Sequence, residues 1–113
     1  MAVKTERREH VAQILYARGA FWEKDGKRLL ENAKDEIGMG NLRDARDTLR
    51  KSIFYFNLAK KSYGFALTLL PSESVYVEIT RKLGNLASWD LANAQELQNS
   101  VRVRLEPSAY FFA

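Results

Sequence analysis

Few residues in this chain have the types and spacing that catalysis or metal binding needs. His10 is the only histidine and there is no cysteine, so a zinc site is not expected. The carboxylates alternate with lysine and arginine, as in NLRDARDTLRK, which is typical of a salt-bridged solvent face. No phosphate-binding glycine loop, dinucleotide fingerprint or nucleophile motif occurs. We therefore predict a protein that is not an enzyme and holds no cofactor or metal.

Basic side chains offer a different chemistry, the binding of nucleic acid. Arg43, Arg46, Arg50 and Lys61 fall on one flank of a helix-forming stretch, with Phe54 between them. Nucleic-acid grooves combine basic and aromatic residues in this way. Two aspartates lie beside the stripe, however, and the net charge of the chain is only +4. A solvated face explains the residues better, and nucleic-acid binding is kept as the alternative function.

The composition is that of one ordinary folded domain. The chain has 113 residues, of which 46% are hydrophobic and 28% are charged, enough for a core without disulfides. No apolar run approaches the roughly 20 residues that a membrane span needs, and the first ten residues are too charged for a signal peptide. We expect a single domain over residues 1-113, in the cytoplasm and away from membranes.

Apolar residues recur in steps of three and four along most of the chain, which is the pattern of amphipathic helices. The pattern predicts helices at about 4-37, 42-70 and 73-101, followed by a tail at 106-113. The two prolines, Pro71 and Pro107, stand where the pattern stops. Long helices joined by short turns pack antiparallel. The predicted fold is therefore all-α, an up-down-up bundle of three long antiparallel helices.

Two positions leave alternatives open. The Asp25-Gly26 pair is a turn signal, so the first stretch forms either one long helix, which the continuous seam favours, or two helices that meet near Gly26. Asp90 falls on or near the apolar stripe of the third helix. It either reaches water at the edge of the stripe, the interpretation we favour, or meets a basic partner.

The turn before the second helix carries a recognisable pattern. Gly40 allows a left-handed exit from the first helix, Asn41 is placed to cap the second, and the small Ala45 lets the two helices approach closely. With Leu49 and Phe56 continuing the seam, the stretch resembles tetratricopeptide-type hairpins. It looks somewhat more like an MIT (microtubule-interacting and transport) domain than a true tetratricopeptide repeat, and this resemblance covers residues 27 to about 103.

The resemblance implies a binding module that takes an amphipathic helix of a partner into a groove between two helices. Protein partners, or a second copy in a homodimer, are the expected partners. Large apolar residues on the outer flanks and in the tail are the candidates for this contact. They are Phe54, Leu67, Trp89, Leu91, Tyr110, Phe111 and Phe112.

Overall fold

The protein folds as three antiparallel helices joined by short turns. The computed structural model describes residues 2–106, with side chains from Glu6 onward, and the helices are α1 (Ala2–Gly38), α2 (Leu42–Leu69) and α3 (Tyr76–Leu105). α2 is central and packs along both other helices, whereas α1 and α3 scarcely touch each other. The predicted all-α, up-down-up arrangement is confirmed. The tail from residue 107, including Tyr110, Phe111 and Phe112, lies outside the described residues.

The first helix is continuous, as the seam indicated. α1 runs through Gly26 without a break, so the Asp25-Gly26 pair is not a turn. A Cβ atom at Gly26 would lie 2.7 Å from the ring of Phe56 on α2. The glycine is therefore required by the close approach of α2 rather than by backbone conformation.

The turn between α1 and α2 closes with a left-handed glycine. Gly40 has φ +79, its N–H donates to the carbonyl of Ile37 at 3.0 Å, and the N–H of Asn41 donates to the carbonyl of Glu36 at 2.8 Å. These two bonds form the Schellman pattern. The predicted capping role of Asn41 is wrong, because its side chain makes no cap hydrogen bond.

The third helix is displaced along the chain from its predicted bounds. It begins at Tyr76 and ends at Leu105, instead of running from 73 to 101. The start is later because residues 71–74 form a turn, in which the N–H of Ser74 donates to the carbonyl of Pro71 at 3.0 Å. The hydroxyl of Ser74 then accepts the N–H of Tyr76 at 3.2 Å.

Small residues on α1 face large residues on α2 with a period of seven. The ring of Tyr63 lies where a Cβ of Gly19 would be, and the ring of Phe56 lies over Gly26. The same antiparallel register places Ala33 of α1 opposite Leu49 of α2, and both belong to the main core cluster. α1 therefore offers a row of gaps that the knobs of α2 fill.

The molecule is long and thin. Its dimensions are 62 × 27 × 16 Å and its radius of gyration is 17.8 Å, whereas a compact chain of this length has a radius of gyration of about 13 Å. An elongated three-helix arrangement exposes more surface than a compact fold of the same mass. The exposed sides of the α1–α2 hairpin are therefore candidate binding surfaces.

Candidate partner-binding surface

Four aromatic rings form a continuous row across the α1–α2 hairpin. Phe21 contacts Trp22 edge-on with ring centroids 5.3 Å apart, and Trp22 stacks on Tyr55 of α2 at 5.5 Å with an interplanar angle of 17°. Tyr55 in turn meets Phe54 edge-on at 5.7 Å. Such contacts fix ring orientation as well as burying area. We call these four residues the aromatic face.

The two ends of the aromatic face are open to solvent. Phe21 is 60% exposed and Phe54 is 59% exposed, while Trp22 and Tyr55 are half-buried. The face continues into an open groove between α1 and α2 with a volume of about 760 Å³. The residues that line the groove are Ile14, Leu15, Ala17, Arg18, Phe21, Trp22, Leu58 and Ser62.

The groove is open because α3 packs on the other side of the hairpin. On α1, Lys27, Leu30 and Lys34 lie toward α3: Lys27 pairs with Asp90 of α3, and the other two line a cleft shared with it. Arg18 and Phe21, about half a turn away around α1, line the open groove instead. α3 thus covers one side of the α1–α2 pair and leaves the opposite side uncovered.

Basic residues predominate around the groove, although Asp47 of α2 lies one helical turn before Lys51 and pairs with Arg46. Arg18 is the only charged residue in the lining, and no acidic residue lies there. Lys51 and Lys61 are exposed on the same face of α2 as Leu58, since they lie seven residues before it and three after it. Among the side chains that the structure describes, no carboxylate pairs with any of these three cations. The groove is apolar with a basic rim.

A buried polar cluster joins the three helices near their middle. The hydroxyl of Tyr63 on α2 donates to Oε2 of Glu23 on α1 at 3.1 Å, and Glu23 is only 6% exposed. Nζ of Lys27 lies 3.6 Å from Oε1 of Glu23 and 3.9 Å from Oδ2 of Asp90. These two carboxylate oxygens are buried and accept no hydrogen bond. Lys27 therefore balances two carboxylates with one cation.

Burial raises the pKa of Glu23 above its ordinary value, against the lowering effects of Lys27 and the Tyr63 hydroxyl, and the nearby Asp90 adds to the rise. Burial and the neighbouring Glu23 also raise the pKa of Tyr63.

The favoured interpretation of Asp90 as a solvated edge residue is wrong, because its side chain is only 18% exposed and pairs with Lys27. The cause is the meeting of α1 and α3 at this level.

Sequence reasoning did not identify Glu23, although a signal was present. Residues 16, 23, 30 and 37 recur every seven positions along α1, and three of them are Tyr16, Leu30 and Ile37. A glutamate within such a row stands at a core position, where a charged side chain needs partners. The partners come from α2 and α3, whose register the α1 sequence alone does not contain.

The predicted partner-binding residues lie in different environments. Phe54 belongs to the aromatic face, whereas Leu67 is half-buried on α2 and lines no part of the groove. Trp89 is 67% exposed on α3 and separate from the aromatic face. Leu91 is 7% exposed within the main core cluster, so the structure does not present it as a surface residue. Phe21, Trp22 and Tyr55 complete the aromatic face together with Phe54.

The residues of the nucleic-acid alternative remain spread along α2. Arg43, Arg50 and Lys61 are exposed. Nε of Arg46 lies 3.6 Å from Oδ1 of Asp47 and is buried without a hydrogen-bond acceptor. The charge of Arg46 is thus partly balanced by the neighbouring Asp47. Nucleic-acid binding stays a prediction.

Comparisons with known protein families, curated proteins and solved structures give no match. Within residues 2–106, no helix is long and apolar enough to cross a membrane. In the same part of the chain, no group of three potential metal ligands comes together.

Proposed function

We propose that this protein is a non-enzymatic helical protein that acts by binding another protein, and that the aromatic face is the contact surface. The observation that carries the proposal is the row Phe21–Trp22–Tyr55–Phe54, whose ends are more than half exposed beside an open groove. Aromatic residues fixed by their neighbours lose little entropy on binding and dominate interfaces. A groove between two helices fits the helix-in-groove mode that the resemblance to MIT domains implies.

The experiment is site-specific photocrosslinking in the cells that produce the protein. A photoreactive phenylalanine analogue replaces Phe54 in one variant and Val103 in a control variant. Val103 is 42% exposed near the end of α3, away from the aromatic face. We expect a discrete protein adduct from position 54 and none of the same mass from position 103. An additional Phe21→Ser substitution should reduce the adduct, because Phe21 belongs to the same face.

The mass of the adduct identifies the class of partner. An adduct of twice the 13.0 kDa chain mass shows contact with a second copy, and any other discrete mass shows a different protein. Light-scattering mass of the purified protein checks the first outcome independently. If positions 54 and 103 give the same pattern, or if position 54 gives no protein adduct, the proposal is wrong.

A further inference from the structure

We infer that the occupant of the open groove is an acidic amphipathic helix of a partner protein, about three turns long, whose carboxylates face Arg18, Lys51 and Lys61. The inference rests on the proposed function and adds the chemistry of the partner. It is carried by the combination of an apolar lining that contains no acidic residue with a rim of three unpaired cations.

The exposed apolar face of α2 beside the groove sets the length of the occupant. Phe54 and Phe65 do not line the groove, but they lie four residues before Leu58 and seven after it, on the same face of α2, and both are exposed. They are about 16 Å apart along the helix axis at 1.5 Å per residue. A helix of about 11 residues matches that distance, with apolar anchors at i, i+3 or i+4, and i+7. Leu58 and Trp22 line the groove, where such anchors would contact them.

The positions of the cations select the charge of the occupant. Arg18 is on α1, whereas Lys51 and Lys61 lie on α2 about 15 Å apart along the helix. A helix lying in the groove with its apolar side inward would turn its flanks toward these side chains. Glutamate or aspartate on those flanks gains charge-assisted contacts, and lysine or arginine there is repelled.

The same charges argue against a second copy in this groove. Two copies that met through this face would bring Arg18, Lys51 and Lys61 of one chain close to the same residues of the other. The lining contributes no carboxylate to neutralise them. Of the acidic residues of α1 that follow Trp22, Glu23 is buried and contacts Tyr63 and Lys27, and Asp25 is paired with Arg28 at 3.9 Å. Like charges across an interface oppose association.

The test uses two synthetic helical peptides that differ only in charge. Both carry the same leucines at i, i+3, i+7 and i+10; the flanking positions are glutamate in one and lysine in the other. The Trp89→Phe background leaves Trp22 as the reporter, since the chain has two tryptophans. We expect the glutamate peptide to change Trp22 fluorescence, with affinity falling at least tenfold between low and high salt.

A charge-reversed variant supplies the decisive comparison. Arg18→Glu with Lys61→Glu should weaken binding of the glutamate peptide at least tenfold and permit binding of the lysine peptide. The matched control is Arg81→Glu with Arg104→Glu, two exposed residues of α3 that also form no described ion pair. It makes the same change in net charge and should leave binding unaltered. Circular dichroism confirms that both variants remain folded.

Four results would overturn the inference. They are equal binding of both peptides, no binding of the glutamate peptide, equal loss of binding in the α3 control, and a Trp22 response to phosphatidylserine vesicles that Arg18→Glu with Lys61→Glu removes. The proposed function is judged separately by the crosslink at position 54. A protein adduct there without glutamate-peptide binding would leave protein contact standing and reject the acidic helix.

Discussion

At the scale of single residues, the most consequential side chain is Glu23, which no surface argument would select. It is buried, its Oε2 accepts a hydrogen bond from the Tyr63 hydroxyl at 3.1 Å, and it shares the ammonium group of Lys27 with Asp90. Since α1 and α3 make little other contact, this cluster is one of the few links between them. Burial raises the pKa of Glu23, and the neighbouring Asp90 adds to the rise, while Lys27 and the Tyr63 hydroxyl oppose it.

The raised pKa makes stability depend on pH. The folded protein binds the Glu23 proton more tightly than the unfolded chain, so Glu23 lowers the free energy of unfolding progressively as pH rises from the ordinary carboxyl range through the folded-state pKa. Glu23→Gln keeps the shape and removes this dependence. We expect the variant to gain stability relative to the wild type as pH rises, with the gain levelling off above the folded-state pKa. Urea midpoints measured from pH 4 to 8 check this.

The control for this measurement is Glu96→Gln, which alters an exposed carboxylate of α3. It should follow the wild-type profile. A Glu23→Gln profile parallel to the wild type at every pH would show that folding does not raise the pKa of Glu23.

At the scale of the elements, the α1–α2 contact depends on glycines that act as gaps. Gly19 and Gly26 receive the rings of Tyr63 and Phe56, each 2.7 Å from where a Cβ would stand. Helix propensity alone would favour alanine at both positions. The retained glycines therefore reflect packing, which opposes the local preference of the helix.

Gly26→Ala tests this packing against Gly64→Ala. Both gain helix propensity, but a Cβ at Gly64 meets nothing within 4 Å, so Gly64→Ala should stabilise by about 0.5–1 kcal/mol. Gly26→Ala should be less stable than Gly64→Ala by about 1–3 kcal/mol because of overpacking. Chemical denaturation measures both. Adding Phe56→Leu to Gly26→Ala should reduce the loss caused by alanine at 26, and equal stability of the two single variants would refute the packing role.

The α1–α2 turn gives a second comparison of glycines. Gly40 has φ +79, whereas Gly38 is helical, and neither has a neighbour within 4 Å of an added Cβ. Gly40→Ala should cost about 1–2 kcal/mol from backbone strain alone, and Gly38→Ala should cost little. Thermal unfolding of both variants is the measurement. Similar melting temperatures would mean that the turn rearranges without cost.

The sequence predicted the positions of the helices better than it predicted how the helices pack against one another. Periodicity gave three helices and the seam Ala45–Leu49–Ser52–Phe56, all buried in α2. It placed Leu91 on an outer flank because a wide apolar stripe does not show which edge is covered. It did not indicate that Phe54 and Trp22 belong to one face, because the aromatic face combines residues of two helices whose rotation about their axes is decided by gaps such as Gly26.

At the scale of the whole molecule, stability is unevenly distributed. α2 packs on both sides, whereas α1 and α3 each have one main neighbour. Because the fold is elongated, with a radius of gyration of 17.8 Å, its hydrophobic core is spread along the helices rather than concentrated at one place. Opening free energies follow local packing, so the central helix should be the last to open.

Native-state hydrogen exchange measures this order. We expect the amides at the buried positions of α2, from Leu49 to Tyr63, to exchange at least tenfold more slowly than those of α3 from Thr80 to Ala94. The physical reason is that opening α3 breaks one main interface, whereas opening α2 breaks two. Uniform protection across the three helices would instead show that the molecule opens as one unit.

The seven-residue repeat of gaps on α1 has a consequence for the pairing of separate helices. Shifting α1 along α2 by seven residues would again oppose small residues to large ones, for example Gly26 to Tyr63 and Ala33 to Phe56. The repeat therefore specifies which faces meet but not their alignment. The alignment is chosen by the three-residue turn 39–41 and by polar pairs such as Ser52 with the Gly26 carbonyl at 2.8 Å. Separated from each other at that turn, the two helices would associate in several interchangeable alignments rather than one.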